Sequence, residues 1–395
     1  MDKMEFELGN PQEDAPKRIE PKNNKKKWLR LGIVAAVVLL IVTIAVLWDT
    51  TAFDGLRRTF IYARAHKDEN GCAQLYSYDS DRSSCFATLE GSLIRASLSQ
   101  VSVMGEDGNM RFNESVKFHC AAIDTNGERA VAYDIGGTEL YVLDSKGLVH
   151  QITCDSEVQS AQLGADNKLS VIVNKSGYKA AVYVYDDAGQ LAFEFDSADR
   201  FIMTACVSGD GSRLAAVTMG QNEGEFTSYV MIYRLNRKEP DATCELPGEA
   251  VYEIRTVDNA FCVVAEKAVY FVAGNGALST SYPFDETYLR RCSLQGDGYA
   301  ALLLGRYKSG SQGALVTVDE HGKVLGEAEV DGEVLDLSTA GNYVAALYSD
   351  HLTIYDKHMK ERATLSNVSA AREILMRGDG SAVLAGNGSA SLYLP

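Results

Sequence analysis

The side chains best suited to nucleophilic, acid–base or metal chemistry in this 395-residue sequence are six histidines and eight cysteines. Their spacing supports none of it. His66, His119, His150, His321, His351 and His358 stand in no nucleophile, zincin or triad context. Cys72, Cys85, Cys120, Cys154, Cys206, Cys244, Cys262 and Cys292 include no Cys-x-x-Cys pair and no mixed Cys/His metal spacing. The Asp-Gly and Asn-Gly dipeptides lack the EF-hand pattern and read as hairpin turns. The sequence therefore assigns no catalytic, cofactor-binding or metal-ligating residue, and no cofactor is expected. Four Asn-x-Ser sequons, at Asn113, Asn174, Asn367 and Asn387, read as chance occurrences.

Composition narrows the class. At 46% apolar and 23% charged, the chain is globular rather than disordered. Thirty-four Gly against seven Pro, with 20 Tyr and 13 Phe, suits many short strands joined by tight turns. A net charge of −16 argues against nucleic acid as a partner, because phosphate binding needs a basic face.

Four segments follow in order. Residues 1–30 are polar and basic and read as a disordered cytoplasmic tail. Residues 31–48, LGIVAAVVLLIVTIAVLW, carry no charge over 18 positions, the least a spanning helix needs. Trp28 and Trp48 bracket this run like an aromatic belt. Lys17, Arg18, Lys22, Lys25, Lys26, Lys27 and Arg30 precede it, so the positive-inside rule puts the N-terminus in the cytoplasm and the bulk outside. The long basic lead and the absence of a small-residue cleavage site favour an uncleaved signal anchor, with the lipid bilayer as its partner. Residues 49–71 form a juxtamembrane amphipathic segment. Phe53, Leu56 and Phe60 recur at helical spacing there, which fits either a helix on the membrane surface or a stalk packed beneath the outer domain.

The remainder, 72–395, is repetitive. An alternating strand, often ending in Asp and followed by a turn, recurs as LYVLDSKG, VYVYDDAG, LVTVDEHG and LTIYDKHM, with weaker copies between. The Asp column falls at Gly105, Asp144, Asp186, Arg234, Ala273, Asp319 and Asp356, spaced 37 to 48 residues apart. These aspartates read as turn caps rather than a ligand ring. Around each copy lie four strand-length pieces, the signature of a β-propeller blade. Blades are expected near 86–116, 119–155, 158–196, 202–247, 250–284, 289–330, 334–366 and 372–395. First strands such as Cys120-Ala121-Ala122 are small, as crowding at the axis requires. The last blade ends after its third strand, so Ala73–Tyr78 is expected to supply the outer strand and close the ring. The fold class is thus all-β: eight four-stranded blades closed by an N-terminal strand, or seven if 86–116 is not a blade. No crossover helices for an α/β fold are found.

In this frame Cys120 and Cys154, like Cys206 and Cys244, lie on innermost and outermost strands and are too far apart to bridge. Free thiols acting as small hydrophobes are expected, with Cys72–Cys85 the one pair open to bridging.

The stretches Gly55–Tyr62, Tyr78–Ser84 and Ala132–Asp144 carry a family resemblance. The chain resembles an uncharacterised group of single-pass envelope proteins from Firmicute bacteria, with a basic tail, a signal anchor and an outside propeller. Its blades are also distantly similar to WD40-like and quinoprotein-like propellers, although the outer domain has no Trp and so no Trp-Asp dipeptide. The resemblance implies no activity and no site residues. The expected role is a binding or scaffold module holding an envelope protein partner. The alternative is an envelope lyase or hydrolase working at the channel mouth. Two lengthened hairpins, Gln221–Ser228 and Arg306–Gly313, are candidate binding loops.

Overall fold

In the computed structural model the described residues are 68–89, 91–222 and 224–395, with Val38, Asp54, Gly55, Arg58 and Tyr62. The tail expected over 1–30 and, Val38 apart, the membrane helix expected over 31–48 lie outside them. Among the described residues no helix is long and apolar enough to cross a membrane.

Among the described residues thirty-two strands build eight four-stranded antiparallel sheets. Seven are consecutive in sequence: β2–β5 (residues 85–115), β6–β9 (121–153), β10–β13 (157–197), β14–β17 (201–246), β18–β21 (251–283), β22–β25 (288–331) and β26–β29 (334–366). The eighth joins the two ends of the domain. β30 (Glu373–Met376), β31 (Ala382–Ala385) and β32 (Ser389–Tyr393) are completed by β1 (Cys72–Ser77), which pairs antiparallel with β32. The ring therefore has eight blades, 86–116 included, and the N-terminal strand latches it. An open propeller would leave the β32 edge unpaired, and β1 removes that hazard.

The residue types explain the layering. Second strands read as near-continuous apolar runs, such as AFCVVA in β19 (Ala260–Ala265) and YVAALY in β27 (Tyr343–Tyr348), and are buried along their whole length. A strand covered on both faces by neighbouring blades needs that pattern. Fourth strands such as MRFNES and LSTSYP are polar and largely exposed at the rim. Eight separate hydrophobic clusters fill the eight gaps between neighbouring blades, with the cluster of Tyr76, Phe86, Leu93, Val383 and Leu392 closing the seam between blades 8 and 1.

The Asp column caps the turns between third and fourth strands. Asp186 Oδ1 accepts from the Ala188 and Gln190 amides, and Asp144, Asp319 and Asp356 do the same in their own turns. The turn then needs a left-handed residue. Gly189 and Gly322 supply it, and in blade 7 Met359 adopts φ 57°, a strain of about 1 kcal/mol for a non-glycine.

All eight cysteines are free, Cys72 and Cys85 among them. Cys72 lies on the outermost strand of blade 8 and Cys85 on the innermost strand of blade 1. Cys154, Cys206, Cys244 and Cys262 are buried as expected; Cys120 is exposed, because it precedes its strand rather than lying in it.

The upper face is where innermost strands begin, and the lower face is where they end. The described part of the 49–71 segment packs on the lower face. Asp54, Arg58 and Tyr62, spaced four residues apart, meet blades 7 and 8. Tyr343 Oη donates to Asp54 Oδ2 at 2.5 Å, Arg58 Nη1 to the Asp379 carbonyl at 3.0 Å, and Arg377 Nη1 to Tyr62 Oη at 3.0 Å. Arg377 also donates to the Gly91 carbonyl of blade 1 at 3.0 Å, so it joins the incoming segment to the seam.

Candidate functional site

The innermost strands line the central channel. In blades 8, 1 and 2 they are short: β30 has four residues, β2 (Cys85–Leu89) five and β6 (Ala121–Thr125) five. In blades 3–7 they are longer, with seven residues in β10 (Glu157–Leu163), β14 (Phe201–Val207), β18 (Val251–Val257) and β26 (Val334–Ala340), and nine in β22 (Tyr288–Gly296). The added length carries a repeated irregularity. Each of these five strands is bulged at its third residue or next to it, near its upper end, so that Gln159, Met203, Tyr252, Arg290 and Leu335 stand outside the ladder. A bulge re-aims a side chain without breaking the sheet. Five in succession make an arc around the upper mouth, and the ladders β2–β3, β6–β7 and β30–β31 have none.

The exposed aromatics follow the same arc. Among the described residues the Phe and Tyr side chains left open to solvent are Tyr178, Phe201, Phe226, Tyr252, Tyr288 and Tyr307, all on blades 3–6 and all at the upper face. Phe226 at 66%, Tyr307 at 60% and Tyr252 at 56% are the most exposed. The two lengthened hairpins lie here too. Phe226 is near the tip of the hairpin between β15 (Arg213–Asn222) and β16 (Glu225–Arg234), and Tyr307 is in the loop between β23 (Tyr299–Gly305) and β24 (Gln312–Asp319). Bulged Arg290 holds the second loop in place, donating to the Gly310 carbonyl and, at 2.9 Å, to the Tyr307 carbonyl. Cations flank two of these rings, Lys179 at 5.1 Å from Phe201 and Lys308 at 5.6 Å from Tyr288, and Arg200 lies 4.0 Å from the half-buried Tyr229.

Below the mouth the channel is bridged. Arg255 of β18 pairs with Glu253 of its own strand at 2.9 Å and reaches across to Asp124 of β6. Gln162 Nε2 spans from β10 to the Ile254 carbonyl at 3.0 Å. These struts leave a lower cavity of about 370 Å³ and an upper one of about 240 Å³, both lined by Thr125, Arg255 and Gln295. The upper cavity contains Glu253, Asp336, Glu373 and Cys292. Burial, with Asp336 nearby, pushes the Glu373 carboxyl up to about 8, and burial raises Asp336 as well. Burial also pushes Cys85 to about 11 and Cys292 to about 12, so these thiols stay protonated and unreactive near neutrality.

The family profile described as a family of unknown function, DUF5711, matches residues 68–385. The chain belongs to the DUF5711 family. Among curated proteins no sequence matches it. The DUF5711 chain is similar in fold to the C-terminal WD40 domain of Sif2, with TM-score 0.59 and 12% identity over 82% of this chain and 98% of that one. It is likewise similar to the computationally designed Ika8 protein, with TM-score 0.58 and 12% identity over 82% and 99%. BamB from Moraxella catarrhalis aligns with TM-score 0.53 and 14% identity over 81% and 99%. At these identities the likeness is one of fold alone.

The histidines of this DUF5711 chain do not converge. His119 Nδ1 sits 3.1 Å from Asp134, whose carboxylate also accepts the His119 and Cys120 amides and so caps the start of β6. His351 stacks on Tyr348, His321 and His358 lie in turns, and His66 lies outside the described residues. Sequence reading located both lengthened hairpins but missed the bulged arc and the Asp336–Glu373 pair. The signal for the arc was present as two or more extra residues in the first strands of blades 3–7.

Proposed function

We propose that the protein is a membrane-anchored, extracytoplasmic propeller whose upper face docks an envelope protein. One observation carries this reading: bulged strands, open aromatics and lengthened hairpins coincide on one face of blades 3–6. Tyr, Phe, Met and Arg are the residue types that concentrate at the centres of protein interfaces. Asp54, Arg58 and Tyr62 approach the opposite face, so these contacts leave the arc open. The anchor over 31–48 and the outside location of the propeller rest on its apolar length and on the Lys/Arg asymmetry around it.

Site-specific photocrosslinking in intact cells tests the reading. A photoreactive residue at position 226, 252 or 307 is expected to give the same discrete adduct, and one at lower-face Asp187 or Glu128 is not. Equal adducts from both faces would defeat the assignment of the surface. Accessibility of a cysteine at position 187 to a membrane-impermeant thiol reagent, in a chain lacking Cys120, checks the topology separately.

A further inference from the structure

The rest of the mouth, over blades 7, 8 and 1, is charged rather than aromatic. A cavity of about 290 Å³ there is lined by Arg82 and Arg372 from the loops on either side of blade 8, by Arg291, Asp336, Glu373 and Asn387, and by Asp81, whose carboxylate accepts from the Ser83 amide and hydroxyl. Its polar groups are unmatched in two opposite senses. Asn387 Oδ1 is buried without a donor. The Glu373 carboxylate takes the Phe86 amide, and Asp336 Oδ2 takes the Ile374 amide at 2.9 Å, which stitches neighbouring blades but brings no cation. Arg291 approaches Asp336 only to 3.6 Å, and Arg255, which lines the neighbouring upper channel cavity, is already committed to Asp124 and Glu253. Glu373 and Asn387 Oδ1 thus lack a charged donor, and Asp336 has only the long ion pair with Arg291. Arg82 and Arg372 are exposed, and among the described residues neither side chain makes a hydrogen bond or ion pair. These donors lack an acceptor.

An ammonium only donates, and a carboxylate only accepts and matches the guanidinium fork. We propose that this cavity binds a small zwitterion, its ammonium end toward Glu373, Asp336 and Asn387 Oδ1 and its carboxylate end between Arg82 and Arg372. The volume is at the small end of ligand sites, which suits a molecule of amino-acid size rather than a polymer. A carboxyl raised to about 8 by burial and a like-charged neighbour is consistent with a group awaiting a counter-cation. The site stands on different residues from the aromatic arc and does not depend on the partner reading.

Calorimetry on the full chain in detergent, with glycine, 4-aminobutyrate and 6-aminohexanoate as probes, tests it. One of the three is expected to bind at least about tenfold more tightly than the carboxylate or amine of matching length. Glu373→Gln, which keeps the side-chain shape, and Arg372→Ala, at an exposed position, are each expected to weaken that probe about fivefold or more. Phe226→Ala is expected to leave it unchanged. The proposal is overturned if a singly charged probe binds as well as the zwitterion. It is equally overturned if none of the three saturates below about 10 mM, or if folded Glu373→Gln, checked by its thermal transition, binds as wild type does.

Discussion

Blades 3–7 and blades 8, 1 and 2 share one four-stranded plan and differ in the innermost strand, which is two or more residues longer in the first group. In the first group one of the added residues bulges at the upper mouth; in the second the inner strand is short and its ladder regular. The second group also holds the seam, where β1 meets β32 and Arg377 ties blade 8 to blade 1. The division is physical. A bulge loosens local pairing and increases twist, which a closed and well-packed blade tolerates. At the seam two chain ends must find each other, and regular ladders keep the register unambiguous there. The upper-mouth bulges and the ring closure thus fall on different arcs of one ring.

The largest effect that separates the two arcs is expected at the latch. Tyr76 has no exposed surface, packs in the seam cluster and donates to the Gly91 carbonyl at 2.9 Å. Tyr76→Ala is expected to cost about 3–5 kcal/mol. Its damage should be local first: hydrogen exchange should speed up in β1 and β32 well before β19 or β23. Uniform loss of protection around the ring would mean that the seam is no weaker than any other blade boundary, and the division above would fail.

A smaller effect should mark the charged mouth. The folded state holds Glu373 protonated up to about 8, from a reference of 4.5, and it faces Asp336 and the neutral Cys85 thiol. Between these values the folded state retains a proton that the unfolded chain releases, so stability from this group is present at low pH and falls as pH rises. Asp336 is shifted the same way, so the slope of the wild type alone is not diagnostic. The difference between Glu373→Gln and wild type is. The variant is expected to gain on wild type in urea midpoint from about pH 5 to pH 8, and a constant gap would show that Glu373 titrates as in solvent.

The ring was legible because its signals are local and repeated. Asp144, Asp186, Asp319 and Asp356 mark turns by their own side-chain hydrogen bonds, and the missing fourth strand of the last blade implied a donor strand at the other end. The mouth was not legible, because its residues come together only in the closed ring. Glu373 meets Phe86 across the seam, and Arg255 meets Asp124 across the channel, 131 positions away. The bulges leave only a difference in strand length, visible once the ladder partners are known. In the 49–71 segment the apolar spacing of Phe53, Leu56 and Phe60 drew notice, but the described contacts are made by Asp54, Arg58 and Tyr62.

The smallest effect on stability, and the sharpest test of the two arcs, comes from deleting single residues. At the blade 5 bulge, Val251 lies opposite Ala265 and Glu253 opposite Val264, so two positions on β18 face consecutive positions on β19. Deleting Tyr252 leaves a regular ladder like those of blades 1 and 2, with Val251 and Glu253 keeping their partners. The expected cost is below about 1.5 kcal/mol. The same operation in β6 behaves differently. Ala121 to Thr125 pair one for one with Asp134 to Ala130, so deleting Ala122 turns the flanking side chains to the wrong face, at about 3 kcal/mol or more. The chain without Tyr252 should melt close to wild type yet lose the crosslink adduct from position 226, because a displayed ring has left the arc while the blade remains. If both deletions cost the same, the bulges are built into the framework itself, and the arc loses its claim to a separate role.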